Sequence, residues 1–266
     1  MNNKEICLSL LPKYGTAVNQ FIESTRFENV INYNEDTIEI KIKVNNGQVS
    51  SQIGIVRELT NMMMKLIQEV ILKEHVHKSY GIIYKDNEND IYEKSKEIFT
   101  DKEILIRESI FYNLNNYISN NNHIDIDGFV KFRMKDLLSY ISNICDIALE
   151  EYLIKKDYDE FINVLRYFIK VQDSKIDTLK VYIRKDSSFI LYDKYNNIIQ
   201  NENDEELMNM FIKENLNYED FLISTLLSLC PKHIQIYDSL KTNASREVIE
   251  TIKSIFQEKV EESNKS

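Results

Sequence analysis

Residues 127–172 read DGFVKFRMKDLLSYISNICDIALEEYLIKKDYDEFINVLRYFIKVQ, and this stretch decides the fold. Its apolar residues recur every three or four positions, which is the spacing of one face of an α-helix. Aromatic side chains lie on that apolar face, and no residue in the stretch is an obvious catalyst. We therefore expect long amphipathic helices in the middle of the chain and no recognisable reaction within them.

The same stretch contains a second helix-start signal. Asp157 and Glu160 have the spacing of a capping box, in which two side chains satisfy free amide groups at the start of a helix. A helix starting there predicts a hairpin with the preceding one, because so short a connection makes the two helices neighbours. The apolar positions are Phe129, Phe132, Leu137, Leu138, Ile141, Ile144, Cys145, Ala148, Leu149 and Tyr152 for the first helix, and Phe161, Val164, Leu165, Phe168 and Ile169 for the second.

Short strands are predicted on both sides of this helical stretch. Residues 38–44 alternate isoleucine or valine with charged side chains, which is the pattern of a half-buried strand. Further strands are predicted at 6–10, 27–33, 179–184, 189–193 and 233–237, with a turn at 185–188. Further helices are predicted at 16–24, 56–71, 100–119, 204–214, 217–229 and 246–260. The helix at 100–119 would begin with a capping box of Thr100 and Glu103.

The predicted fold class is α+β, mainly helical with long amphipathic helices and a small, mostly antiparallel β component. Five glycines and two prolines in 266 residues favour long helices over tight turns. A polar segment at 85–90 is the best candidate for a linker. The predicted regions are an N-terminal α/β segment at 1–84, a connecting helical region at 85–126, a helical hairpin with a C-terminal α/β region at 127–260, and a disordered tail at 261–266.

Composition indicates a cytoplasmic protein without a membrane span. The net charge of −10 disfavours non-specific binding to nucleic acid, whose phosphates attract basic surfaces. Cys7, Cys145 and Cys230 are far apart among apolar residues, which favours free thiols in a reducing compartment. The longest apolar run, at 221–230, is about half as long as a membrane span requires.

Three segments of the chain carry a family resemblance. They are FVKFRM at 129–134, EEYLIKKDYDEFINVLRYFIKVQ at 150–172, and EDFLISTLLSLCPKHIQIYDS at 219–239, followed by REVIETIKSIFQEKV at 246–260. Together they resemble the YtxC-like family of sporulation proteins over about the last half of the chain. The resemblance implies a role in endospore formation. It implies no activity, cofactor or catalytic residue that could be carried over to positions of this chain.

The candidate binding residues lie in the second half of the long helical stretch. They are Glu151, Lys155, Tyr158, Glu160, Arg166 and Gln172. Clustered carboxylates could act as acid and base if burial separated their pKa values. The alternative is structural: Glu151 and Lys155 have the i,i+4 spacing of a surface ion pair, and Arg166 has a side chain suited to a buried Arg–Glu pair across the hairpin.

A possible basic patch is formed by Lys131, Arg133 and Lys135, which are interleaved with phenylalanines. Such a mixture can bind nucleic acid or phosphate, and it is also typical of the solvated start of an amphipathic helix. His75 and His77 are two residues apart and would diverge on a helix, so no metal site is predicted.

Three hypotheses about function follow from the sequence. The first is a non-catalytic sporulation protein that acts through an unidentified protein partner. The second is a regulator that binds nucleic acid through the basic patch, which the net charge disfavours. The third is an enzyme of unrecognised type, with Glu151, Glu160 and Arg166 around a cleft between the helix hairpin and the small sheet. The oligomeric state is left open.

Overall fold

A computed structural model of the chain describes residues 3–45, 49–184, 189–199, 218–239 and 242–263. The chain divides into two compact units, unit 1 (Met1–Ile154) and unit 2 (Lys155–Ser266). Each unit contains a four-stranded mixed sheet and its own cluster of buried apolar side chains. The α+β fold class with long helices is therefore confirmed.

The sheet of unit 1 is formed by β1 (Asn3–Leu10), β2 (Asn29–Tyr33), β3 (Ile38–Asn45) and β4 (His123–Asp125). Its order is β2-β3-β1-β4, with β3 antiparallel to both neighbours and β4 parallel to β1. The first three strands confirm the predictions from alternation. Strand β4 was not predicted, because three residues are too short to display an alternating pattern.

The helices of unit 1 are α1 (Gly15–Ser24), α2 (Val49–Leu66), α3 (Leu72–Tyr80), α4 (Glu88–Asp101), α5 (Glu103–Asn120) and α6 (Ile126–Arg133). A five-residue π-helical segment, Ile67–Ile71, joins α2 to α3. The capping box predicted at Thr100 is wrong. Thr100 lies inside α4 and donates its hydroxyl to the carbonyl of Lys96 (2.8 Å), because α4 continues through the buried Phe99.

The core of unit 1 forms because alternate strand residues face the helices. Ile6, Leu8 and Leu10 of β1 are buried together with the even-numbered residues of β3. Two buried phenols add polar contacts: Tyr14 donates to Asp127 Oδ1 (2.8 Å) and Tyr80 donates to Asp146 Oδ1 (2.5 Å). Burial, reinforced by these carboxylates, raises the pKa of both phenols. Both therefore remain neutral hydrogen-bond donors at alkaline pH values where an exposed tyrosine ionises.

Helix α7 (Lys135–Val171) runs for 37 residues without a break, so the predicted hairpin is wrong. Asp157 and Glu160 lie within it and are exposed, and they cap no helix start. The segment around them contains no Gly or Pro, so its backbone hydrogen bonds continue. The division between the two units falls inside α7, and the domain boundaries predicted at 84/85 and 126/127 both lie within unit 1.

The described part of unit 2 also contains β5 (Thr178–Ile183), β6 (Phe189–Asp193), α8 (Tyr218–Leu229), β7 (His233–Asp238), α9 (Asn243–Phe256) and β8 (Val260–Glu262). The sheet order is β6-β5-β7-β8, in which β5, β7 and β8 are parallel and β6 is antiparallel to β5. The predicted helix at 204–214 and the predicted turn at 185–188 lie outside the described residues.

The C-terminal part of unit 2 differs from the prediction in two ways. Helix α9 ends at Phe256, because Gln257 adopts a positive φ of 53° that no α-helix continues through. Glu261 and Glu262, predicted to begin a disordered tail, instead form β8 beside β7. The start of α9 has a reciprocal capping box between Thr242 and Ser245, which a search for Glu or Gln at that position misses.

The core of unit 2 lies on one face of its sheet. Leu179 and Val181 of β5 are buried with Ile234 and Ile236 of β7, and helices α7, α8 and α9 supply the rest of the cluster. The residues that alternate with these, including Tyr182, point to the opposite face and are half-buried or exposed. Among the described residues, no helix combines the length and apolar character needed to cross a membrane.

Candidate functional site

The second half of α7, within unit 2, has two apolar sides. Ile162 and Ile169 are buried on one side, and Leu165 packs partly against the same cluster. These three residues repeat at i, i+3 and i+7, which places them in one row along the helix. This side therefore anchors α7 in the core of unit 2.

Polar contacts from α7 to α9 strengthen this anchor. Arg166 Nε donates to the carbonyl oxygen of Ser254 (2.7 Å), and a second guanidinium nitrogen donates to Asn163 Oδ1 (3.2 Å). The Tyr158 hydroxyl lies 3.5 Å from Thr251 Oγ1. Two of the residues predicted as binding candidates, Arg166 and Tyr158, thus hold two helices of unit 2 together. Within the described part of the chain, Arg166 does not form the Arg–Glu pair that the hairpin suggested.

The other side of this half of α7 carries a row of exposed apolar side chains. The row consists of Phe161, Val164, Tyr167, Phe168 and Val171, each between 47% and 68% exposed. We call these five residues the apolar stripe. The prediction that Phe161, Val164 and Phe168 face inward is wrong, because the single row of Ile162, Leu165 and Ile169 already fills the contact with the core.

The size of the apolar stripe separates it from ordinary surface residues. Singly exposed apolar residues are normal on a protein surface, whereas contiguous patches mark contacts with other molecules. Three aromatic side chains of roughly 150–250 Å² each that are about half exposed, together with two exposed valines, present on the order of 500 Å². This area lies in the range of about 300–600 Å² that describes the largest, and often functional, patch of a typical monomer.

An acidic turn precedes the apolar stripe. Asp157, Asp159 and Glu160 are all exposed on α7, within one turn of Phe161. Lys170 is exposed near the other end of the stripe. The surface is thus an apolar band with carboxylates at its N-terminal end, which suits a partner with apolar residues and neighbouring cations.

The remaining predicted binding residues are separate from the apolar stripe. Glu151 lies in unit 1 and pairs with Lys94, at 3.0 Å between Oε2 and Nζ, so the predicted pair with Lys155 does not form. The hydrogen bond that Lys94 donates to Glu151 is the main reason that the pKa of Lys94 is raised. Lys155 is exposed on α7. Glu151, Glu160 and Arg166 are not brought into one cluster, since they lie at different turns of one uninterrupted helix.

Gln172, just after α7, has an unusual environment. Its Nε2 lies 3.5 Å from the carbonyl oxygen of Ser228 on α8, a long hydrogen bond. Its Oε1 is buried and has no hydrogen-bond partner among the described residues. The contact joins Gln172, at the end of α7, to the last turn of α8.

The predicted basic patch lies at the junction of α6 and α7. Lys131, Arg133 and Lys135 are all exposed, and Phe132 between them is 65% exposed. The Lys131 ammonium lies 5.6 Å from the Phe132 ring centre, and the Arg133 guanidinium lies 5.5 Å from the ring of Tyr117. These cations neighbour aromatic faces, an arrangement that a phosphate or a stacked base can also use.

Sequence reasoning missed a cleft in unit 1 beside the π-helical segment. The cleft has a volume of about 290 Å³ and is lined by residues that include Glu69, Glu74, His77 and Glu88. His77 Nδ1 lies 3.0 Å from Glu88 Oε1. Gly81 allows this contact, because a Cβ there would lie 2.8 Å from Glu88 Oε2 and 2.5 Å from the carbonyl of His77.

The contact between His77 and Glu88 joins α3 to α4, and no spacing in the sequence signals it. A carboxylate on one imidazole nitrogen orients the ring, as in many acid–base sites. The cleft is shallow, and the His77 side chain is largely exposed. Among the described residues, no group of three or more His, Cys, Asp or Glu side chains is arranged to hold a metal ion.

Comparison with known proteins places the chain in a family. The sequence profile of the YtxC-like family matches residues 54–261, which is more than half of the chain, and the protein therefore belongs to this family. It is similar to the uncharacterised protein YtxC of Bacillus subtilis (strain 168), with 26% identity over 160 residues. That match covers 59% of this chain and 50% of the relative, so the chain spans about half the length of the curated relative. No solved structure matches the chain.

Proposed function

We propose that the protein acts in sporulation as a non-catalytic cytoplasmic protein that binds a protein partner through the apolar stripe of α7. The stripe is the observation that carries the proposal. Its five residues leave on the order of 500 Å² of apolar surface in water, and burying such surface is the main favourable term in protein association. The resemblance to the YtxC-like family of sporulation proteins supports the biological process.

The chemistry of the stripe indicates the kind of partner. An exposed apolar row along a helix is complementary to a second amphipathic helix, which packs its own ridges into the grooves between the side chains. Asp157 and Glu160 lie on the same side of α7 as the stripe and would face the end of that helix, so lysine or arginine residues there would be complementary. The partner that fits is therefore a protein with an exposed amphipathic helix that is basic at one end.

The proposal is tested by replacing the gene in the organism that encodes it with a Phe161→Ser/Phe168→Ser variant. The two serines remove the largest apolar side chains of the stripe and leave the buried row intact. We expect the yield of heat-resistant spores to fall to the level of a deletion strain. Purified variant and wild type should have the same helical content and the same unfolding transition, since the replaced side chains are exposed.

A matched control is available in unit 1. Ile104 and Leu105 of α5 are 73% and 63% exposed, so an Ile104→Ser/Leu105→Ser variant removes comparable apolar surface elsewhere. We expect this variant to sporulate like the wild type. Normal spore yield in the deletion strain would contradict the role in sporulation, and equal loss in both variants would contradict the role of the stripe.

A second candidate function is favoured by the exposure of Phe132 among three cations in the basic patch. Nucleic-acid binding through this patch would depend steeply on salt, because each phosphate contact releases counterions. A Lys131→Ala/Arg133→Ala/Lys135→Ala variant should then bind more weakly and with a smaller salt dependence. Absence of binding by the wild type at low salt would remove this candidate.

A further inference from the structure

The apolar stripe has the spacing of a coiled-coil seam. Phe161, Val164, Phe168 and Val171 follow one another at intervals of three, four and three residues. These intervals are those of the a and d positions of a heptad, at which one helix of a coiled coil meets another. Both a positions are phenylalanine and both d positions are valine. The stripe is therefore a seam of two heptads in which large and small apolar side chains alternate.

The seam is complementary to itself in the antiparallel orientation. Its intervals read the same in either direction, so the seam of a second, antiparallel copy matches it position by position. Phe161 then lies opposite Val171 of the other copy, and Val164 lies opposite Phe168 of the other copy. Each layer pairs a large side chain with a small one, which lets facing layers interdigitate. A parallel pair would instead place phenylalanine against phenylalanine and valine against valine.

The charged residues beside the seam favour the same orientation. Asp157 is exposed one turn before Phe161 and continues the seam at its N-terminal end. A parallel pair would place the Asp157 carboxylates of the two copies opposite each other, and like charges in such a position are unfavourable. In an antiparallel pair Asp157 comes opposite the C-terminal end of α7 in the other copy. That end carries the exposed Lys170, Asp173 and Lys175, so the carboxylate meets a net positive charge.

The area of the stripe is sufficient for a pair of copies. One copy presents on the order of 500 Å² of apolar surface, so two copies together would bury about 1,000 Å². A specific interface requires about 1,000 Å² in total, and interfaces near this lower end are typically transient. Two-fold pairs are also the commonest assembly of soluble proteins. The expected complex is therefore a dimer that forms reversibly as the protein concentration rises.

We propose that the apolar stripe binds a second copy of this chain, through an antiparallel and two-fold symmetric pair of α7 helices. This inference rests on the proposed function, because it names the partner of the same surface. Ile162 and Ile169 anchor α7 in the core of unit 2 from another side of the helix, so pairing leaves that anchor in place. Tyr167 lies beside the middle of the seam, where its exposed ring adds apolar contact near the two-fold axis.

The association is measured by sedimentation equilibrium of the full chain from about 1 to about 200 μM, a range that covers moderate affinities. The mass of the wild type should rise from that of one chain toward twice that mass. Phe161→Ser/Phe168→Ser should raise the dissociation constant at least about tenfold, since each of the four layers of the seam contains one phenylalanine. Ile104→Ser/Leu105→Ser removes exposed apolar surface from unit 1 and should associate like the wild type.

The outcomes separate this inference from the proposed function. A wild type that remains a single chain at about 200 μM overturns self-association, as does a Phe161→Ser/Phe168→Ser variant that associates as well as the wild type. Spore yield still tests the proposed function in either case, because it responds to any partner of the stripe. Conversely, normal spore yield in the variant contradicts the proposed function even where the dimer is lost.

Disulfide formation tests the orientation and does not depend on the serine variant. Phe161→Cys and Val171→Cys are prepared separately in a Cys7→Ser background, since Cys145 and Cys230 are buried. In an antiparallel pair each new thiol lies about 15 Å along the helix from its own equivalent. A disulfide requires Cα atoms within about 7 Å of each other, so neither variant alone should be cross-linked.

A mixture of the two cysteine variants should give a cross-linked dimer under mild oxidation. Mass spectrometry of the linked peptides should show position 161 joined to position 171. Cross-linking of each variant with itself would indicate a parallel pair and would overturn the proposal. A mixture that gives no cross-linked dimer at a concentration where the wild type is dimeric would overturn it as well.

Discussion

The two halves of α7 use the same kind of sequence in different ways. In the first half, within unit 1, the apolar residues Leu137, Ile141, Ile144 and Ala148 form one buried row, and the outer side is mainly polar. In the second half, within unit 2, a buried row around Ile162 lies beside the exposed apolar stripe. The helix is thus amphipathic in unit 1 and apolar on two sides in unit 2.

The difference follows from the size of the two cores. Among the residues that the structure describes, the cluster in unit 1 draws on residues from Ile6 to Cys145, whereas the cluster in unit 2 is much smaller and contacts α7 through one narrow row. A small core cannot cover an apolar arc that extends around most of a helix. The surplus apolar surface is exposed, which is why the stripe, and not the cleft beside His77, supports the proposed function best.

The largest expected effect comes from a pair of substitutions two residues apart on α7. Ile162→Ala removes a side chain that is 2% exposed and should lower the free energy of unfolding by about 2–4 kcal/mol, through lost burial and a new cavity. Val164→Ala removes one that is 64% exposed and should change it by less than about 0.5 kcal/mol. Urea unfolding followed by circular dichroism measures both. Similar losses in the two variants would show that the stripe is packed and would remove the contrast between the sides of α7.

The next effect concerns the first half of α7 and depends on pH. Burial raises the pKa of the Cys145 thiol from 9.0 to about 11, so the unfolded chain loses this proton before the folded chain does. The contribution of the buried thiol to the free energy of unfolding is therefore complete below pH 9 and is lost as the pH rises toward 11. Over this range the free energy of unfolding falls by up to about 1.4 kcal/mol per pH unit because of this group.

A Cys145→Ala variant checks this by comparison of slopes. Its free energy of unfolding should fall less steeply than that of the wild type between pH 9 and pH 11. The buried phenols of Tyr14 and Tyr80 also lower the free energy of unfolding at the alkaline end of this range. This decrease is the same in the wild type and in the variant. Equal slopes in the two proteins would show that the thiol is accessible, and thus that the first half of α7 is less tightly packed than the buried row indicates.

The smallest expected effect concerns the ion pair between Lys94 and Glu151. Both groups are partly exposed, so Glu151→Gln should lower the free energy of unfolding by less than about 1 kcal/mol, and added salt should reduce the difference. The neighbouring exposed carboxylate gives a control, Glu150→Gln, for which no change is expected. An equal effect of the two substitutions would mean that overall charge, and not the contact between α4 and α7, is being measured.

Local patterns in the sequence predicted much of the fold. Strand β3 was predictable because isoleucine and valine alternate with charged residues over its whole length, and α1 and α9 were predictable from a helical period. In the same way, Ile169 was correctly expected to be buried. These predictions succeed because burial on one side of an element leaves a period in the sequence.

The failures have physical causes that a local pattern does not contain. A capping residue favours a helix start only where the preceding helix has ended. Asp157 lies in the middle of α7, and Thr100 lies in the last turn of α4, where its hydroxyl donates to the carbonyl of Lys96. Phe161 and Phe168 were predicted to be buried, because a helical period does not show which of two apolar sides of a helix packs against the core. The contact of His77 with Glu88 joins separate elements, so it depends on tertiary packing.

The continuity of α7 across Ile154 and Lys155 restricts how this protein can be shortened. Severing the chain at that point would leave about four carbonyl groups on one new end and about four amide groups on the other without helical partners. Fragments that end at the boundary between the two compact units would therefore fray at the cut end of α7. A fragment that contains unit 1 should extend through Val171, and a fragment that contains unit 2 should begin at Lys135, so that each retains all of α7. In each fragment, part of α7 would then have no core to pack against.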